Sequence, residues 1–122
     1  MKFTDSHEWI ELEMGDVARV GITTYAQKEL GDIVYVELPI VQKRVNAKQE
    51  VAVLESTKAA ADIYSPVTGT ILEVNTKLNT APELVNQSPE QEGWIYKIHL
   101  TDPAEVDLLM EQAEYQAMLN GA

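Results

Sequence analysis

"EVAVLESTKAAADIYSP", Glu50 to Pro66, decides how this chain is read. The opening "EVAVLE" (50–55) and the closing "ADIYSP" (61–66) carry alternating or β-branched apolar residues, the pattern of two short strands. The intervening "STKAA" is then a hairpin turn, and Lys58 projects from it into solvent. Lys58 is the only cation between Lys48 and Lys77, and its neighbours Ser56, Thr57, Ala59 and Ala60 are small. They obstruct neither an approaching enzyme nor a swinging arm. Three uses are open to this amine: solubilising a turn, catalysis, or carrying a group that does chemistry. Schiff-base catalysis needs a pKa brought well below the ordinary value of about 10.4. Glu55 and Asp62, the nearest charges in sequence, favour the protonated form instead.

Outward from the hairpin, "VARVGI" (17–22), "DIVYVEL" (32–38), "GTILEV" (69–74) and "WIYKIHL" (94–100) also read as strands. Dense turn punctuation between them suits a small sandwich or barrel. "TTYAQKELG" (23–31) predicts a short helix near 24–30, with Thr24 and Gln27 at capping-box spacing and Gly31 as the stop. A C-terminal helix is expected near 103–119, with Asp102 as N-cap, Pro103 and Glu105 in the first turn, and Val106, Leu109, Met110, Ala113 and Ala117 on one face. A weak internal repeat relates "YVEL" (35–38) to "ILEV" (71–74) and "VNAKQEV" (45–51) to "LNTAPEL" (78–84). Two related half-sheets, joined by the Lys58 hairpin, follow from it.

The chain has 122 residues, enough for one domain spanning 1–122. It has no cysteine, so any redox chemistry must come from outside the chain. Nine basic and twenty acidic residues give a net charge of −11, which repels nucleic acid and anionic membranes. No apolar run is long enough for a membrane span, and "MKFTDSHEWIELE" resembles neither a signal peptide nor a transit peptide. A cytoplasmic protein is the expectation. His7 and His99 are the only imidazoles and lie far apart in sequence, and the glycines lack dinucleotide-loop spacing. These residues argue more against an enzyme than for one.

"SHEWI", "GITTYAQKELG", "GDIVYVELP", "ESTKAAADIYSPVTGTILEVN" and "PELVNQSPEQEGWIYKI" occur in this order and closely resemble the H proteins of the glycine cleavage system. The likeness runs from about Ser6 to Leu119. It implies a mainly β, barrel-sandwich hybrid fold with an N-terminal extension and a C-terminal helix. It also implies a non-catalytic carrier, with lipoic acid in amide linkage on Lys58. The implied partners are glycine decarboxylase (P protein), the tetrahydrofolate-dependent aminomethyltransferase (T protein), dihydrolipoamide dehydrogenase (L protein) and lipoate-attaching enzymes. Glu55, Ser56 and Asp62 match positions expected to guide the attaching enzymes. Ser6 and Glu8 match a stretch expected to receive the loaded arm, although Trp9 as core and Glu8 as an exposed strand charge read equally well. Thr57 stands where valine is usual and Ala61 where serine is usual. Gln42 and Lys48 occupy turn positions that are often glycine, and a positive φ at Lys48 would cost energy. Two other readings remain: an H-like relay of lipoyl groups to other complexes, and an acidic interaction module whose Lys58 stays unmodified.

Overall fold

The computed structural model describes residues 1–121 and is mainly β, with two antiparallel sheets. The six-stranded sheet contains β1 (Lys2–Phe3), β2 (Glu8–Leu12), β3 (Val17–Ile22), β5 (Arg44–Val45), β8 (Gly69–Val74) and β9 (Tyr96–Leu100), in the order β1-β2-β3-β9-β8-β5. The three-stranded sheet is β4 (Ile33–Glu37), β6 (Glu50–Ser56) and β7 (Ala60–Tyr64), with β6 in the centre. Both sheets are open. The core between them takes Ile10, Val20, Ile22 and Ile98 from one and Val36, Leu54 and Ile63 from the other. Strand alternation does the sorting: in β6, Ala52 and Leu54 point inward while Glu55 stays exposed. No helix is long and apolar enough to cross a membrane among the described residues.

A smaller cluster of Phe3, Trp9 and Tyr115 closes the N-terminal corner. Trp9 lies across Gly21, its partner on β3, so closely that a Cβ there would sit 2.7 Å from the indole. The indole N–H donates to the Pro89 carbonyl at 3.0 Å.

The strands predicted at 17–22, 32–38, 50–55, 61–66, 69–74 and 94–100 all form, within a residue or two at their ends. The helices need correction. In α1 (Thr24–Leu30) the cap is Thr23, whose hydroxyl accepts from the Ala26 N–H, and not Thr24. Thr24 instead donates its N–H and hydroxyl to Glu90. Gly31 ends the helix at φ 80, as expected.

The predicted single helix at 103–119 is two elements. Asp102 caps as expected, but Pro103–Leu108 is a 3-10 turn, Leu109 is extended, and α3 begins only at Gln112 and ends at Leu119. Tertiary contacts override local preference here. The Glu105 carboxylate is taken by the Thr68 N–H and hydroxyl, and Met110 exchanges backbone hydrogen bonds with Phe3. A fresh capping box between Glu111 and Glu114 then starts α3. Ala113 and Ala117 are exposed, and the buried anchor of α3 is Tyr115.

The repeat is structural only in part. "YVEL" and "ILEV" fall on strands of different sheets, whereas 45–51 leads into β6 and 78–84 runs from the end of a 3-10 turn (Thr76–Asn79) to the start of α2 (Leu84–Gln87). The hairpin carrying Lys58 lies wholly within the three-stranded sheet.

Candidate functional site

The β6–β7 hairpin closes in a tight turn. The Ser56 N–H donates to the Ala59 carbonyl at 2.8 Å, and the Ser56 hydroxyl accepts from the Lys58 and Ala59 N–H groups at 3.2 and 3.1 Å. Ser56, expected to guide a modifying enzyme, is thus also the brace of the turn. A second brace comes from outside, where the Thr57 N–H donates to the Asp32 carbonyl at 3.0 Å. Asp32 is held in turn by Asn86, whose side chain donates to Gly31 O and accepts from Ile33 N–H, each at 2.8 Å. Nothing in the sequence near Asn86 marks it as a support of residues 53 and 55 positions away.

Lys58 is exposed, with Thr57, Ala59 and Ala60 beside it also exposed. Its ammonium donates to the Glu29 carbonyl in the last turn of α1, at 3.2 Å. Gly31 lies under its stem, where a Cβ would come within 3.2 Å of Lys58 Cε. Glu55 and Asp62 are exposed, and neither forms an ion pair with Lys58 among the described residues. Asp62 lies close enough to Glu50 for its negative charge to raise the Glu50 carboxyl above the usual range.

Two clefts open on either side of Ser6. One, of about 300 Å³, lies between Ser6 and His7, the Tyr25–Leu30 face of α1, and Ala61 and Asp62 of β7. It adjoins Lys58 through Glu29. The other, of about 290 Å³, is lined by Phe3, Glu8, Lys48, Tyr64 and the Leu108–Met110 segment. An exposed primary amine with small neighbours and an apolar-walled cleft alongside fits an acyl arm of several methylenes.

Glu8 is not the exposed strand charge that one reading gave; it is 2% exposed. The Thr4 and Ser6 hydroxyls each donate to one carboxylate oxygen at 2.6 Å, and the Tyr64 N–H donates to the other at 3.3 Å. Burial nevertheless holds its carboxyl above the ordinary range, with Asp5 adding to the effect against these hydrogen bonds. Ser6, by contrast, is exposed and borders both clefts.

His7 has φ 73, a left-handed conformation uncommon outside glycine. Its ring packs 4.7 Å from Tyr25, and its Nδ1 is 2.8 Å from the Tyr115 hydroxyl. Burial lowers its pKa, opposed by Asp5 and Glu29. The sequence presented His7 only as one of two isolated imidazoles. Gln42 and Lys48 also have left-handed φ values, 74 and 71, as expected where glycine is common. Among the described residues no cluster of side chains is suited to hold a metal ion.

A family model described as Glycine cleavage H-protein matches residues 1–122. A glycine cleavage system H protein of Phenylobacterium zucineum is 51% identical over 119 residues, covering 98% of each chain. Another, of Methylacidiphilum infernorum, is 53% identical over 117 residues, covering 96% of this chain and 91% of its own. A crystal structure of a glycine cleavage system H protein from Mycobacterium marinum superimposes with a TM-score of 0.88 at 37% identity, covering 99% of this chain and 96% of that one.

Proposed function

The chain belongs to the glycine cleavage H-protein family, and from that premise we propose that Lys58 carries lipoic acid in amide linkage. The protein is then a non-catalytic carrier, working in the cytoplasm. It takes the aminomethyl group of glycine from glycine decarboxylase to the tetrahydrofolate-dependent aminomethyltransferase, and presents the arm last to dihydrolipoamide dehydrogenase. When bound, the lipoyl group supplies the reversible disulfide and the sulfur attachment point that a cysteine-free chain lacks.

The observation that supports this reading best is the placement of Lys58. It sits on a braced turn, exposed, with no bulky neighbour, beside a cleft of about 300 Å³. Glu55 and Asp62 flank the turn from the solvent side and offer an attaching enzyme two carboxylates, while Ser56 fixes the turn that presents the lysine. Ser6, exposed at the edge of both clefts, and Glu8, on the second cleft, are the docking residues for the loaded arm in this reading. The buried Glu8 carboxylate pairs with a cationic amine by exchanging the Thr4 and Ser6 hydrogen bonds that otherwise hold it. A docked arm in such a cleft is withdrawn from water, which limits hydrolysis.

Intact mass decides the central point. The protein made in cells supplied with lipoate is expected to gain the mass of one lipoyl group, and Lys58→Arg made the same way is expected to gain none. An unmodified wild-type chain in the presence of an active attaching enzyme would overturn the reading.

A further inference from the structure

Tyr115 ties the C-terminal helix to the cleft beside Lys58. Its ring stacks on Phe3 at 4.8 Å, and its hydroxyl lies 2.7 Å from the Thr23 hydroxyl and 2.8 Å from His7 Nδ1. Thr23 is 1% exposed, and its oxygen already accepts from the Ala26 N–H as the cap of α1. Among the described residues, the acceptor that the Thr23 proton meets is therefore the Tyr115 oxygen. Were Tyr115 to donate to Thr23 instead, the Thr23 proton would be buried without a partner, at a cost comparable to a lost hydrogen bond. The chain thus runs one way: Ala26 N–H to Thr23, Thr23 to Tyr115, Tyr115 to His7 Nδ1. An Nδ1 that accepts leaves the imidazole proton on Nε2.

We propose that Tyr115 is a positioning residue which fixes His7 as the Nε2–H tautomer, so that His7 donates a hydrogen bond to the amide carbonyl of an acyl arm on Lys58. His7 lines the cleft and Tyr115 does not; with Nδ1 engaged by Tyr115, Nε2 is the ring nitrogen left for the arm in this proposal. Glu29 lines the same cleft, and its carbonyl takes the Lys58 ammonium, which brings the root of the arm to that wall. The amide carbonyl is the strong acceptor on such an arm, since sulfur accepts only weakly. This inference rests on the proposed lipoylation of Lys58.

The groups facing His7 come from every element around it: Asp5 from its own turn, Tyr25 and Glu29 from α1, Asp62 across the cleft on β7, and Tyr115 from α3. Asp5 and Glu29 favour a second proton on the ring, and burial opposes it more strongly. A second proton would sit on Nδ1, turn Tyr115 into an acceptor from both sides, and orphan the Tyr115 proton. Acid is therefore expected to loosen α3 and the cleft wall together.

The tautomer is read first, by nitrogen NMR of the imidazole in the unmodified protein. Wild type is expected to show an unprotonated Nδ1 and a protonated Nε2, and Tyr115→Phe a mixture; an Nδ1–H ring in wild type overturns the proposal. The arm is read next, on chains whose lipoyl group is verified by mass. Reduction of the disulfide by a small phosphine is expected about three- to tenfold faster in Tyr115→Phe and His7→Asn, the loss of about one hydrogen bond. His7→Gln, which keeps a donor near the Nε2 position, is expected to stay near wild type. Equal rates in all four overturn the proposal. An octanoyl arm on Lys58, with the carbonyl but no sulfur, is expected to shift the Nε2 resonance as the lipoyl arm does, and a shift from the lipoyl arm alone overturns the carbonyl assignment. Absence of the lipoyl mass would overturn the carrier reading, while the NMR measurement would still judge the tautomer.

Discussion

The turn at Ser56–Ala59, which reaches the nearer cleft through the contact of Lys58 with Glu29, and the corner at Thr4–Glu8, which lines that cleft with Ser6 and His7, are built on opposite plans. The turn is exposed around Lys58, flanked by small residues, and braced by one backbone bond of its own, by the Ser56 hydroxyl and by the Asp32 carbonyl. The corner encloses a carboxylate at 2% exposure, holds His7 in a left-handed conformation, and borrows Tyr64 and Tyr115 from distant parts of the chain. A site that presents a side chain outward can be assembled locally. One that surrounds a polar group needs partners from several elements, because each buried donor and acceptor must be matched.

Substitutions on the two sides test that contrast. The largest effect is expected from Glu8→Ala, which leaves Thr4, Ser6 and the Tyr64 N–H without their acceptor and lowers the unfolding free energy by about 2 to 3 kcal/mol. Ser56→Ala removes the corresponding brace of the turn and is expected to cost about 1 kcal/mol. Urea unfolding of both variants measures the difference, and equal losses would erase the distinction.

Stability against pH separates two groups within the corner. The Glu8 carboxyl is raised above its ordinary value of 4.5, so the folded protein holds that proton more tightly than the unfolded chain does. Its contribution to stability is fully present below pH 4.5 and is lost as pH rises through the folded value. His7 is lowered below 6.5, so its contribution is present above pH 6.5 and is lost as pH falls through the folded value. Measured against Glu8→Gln and His7→Gln, wild type is expected to lose relative stability on the alkaline side for the first and on the acidic side for the second. Slopes of one sign would contradict the surroundings assigned to both groups.

The smallest effect belongs to Lys48, which has φ 71 at the edge of the second cleft. Lys48→Gly relieves the left-handed backbone but loosens the unfolded chain, and a net gain of about half a kcal/mol is expected in the same urea experiment.

The sequence carried the strands, the hairpin and the exposure of Lys58, because alternation and turn chemistry are properties of neighbouring residues. It also carried the strain at Lys48, through the likeness to chains with glycine there. It did not carry the choice of Thr23 over Thr24 as cap, which depends on Glu90 and Tyr115 arriving from far along the chain. The break in the C-terminal helix escaped for the same reason, since Thr68 and Phe3 claim Glu105 and Met110. Glu8 was read as a docking residue or as an exposed charge, and neither reading anticipated its burial. His7 was legible as an imidazole and illegible as a partner of Tyr115, 108 residues away.

The backbone bond from Thr57 to Asp32 fixes the root of the Lys58 side chain relative to α1. Only side-chain torsions then separate the end of a tether on this lysine from the cleft wall, and the local concentration of that end is set by a short, defined reach. Each mobile backbone residue added to the turn would enlarge the volume the end explores and dilute it at the cleft. A tether hung from a floppy loop would be equally long and much less often home.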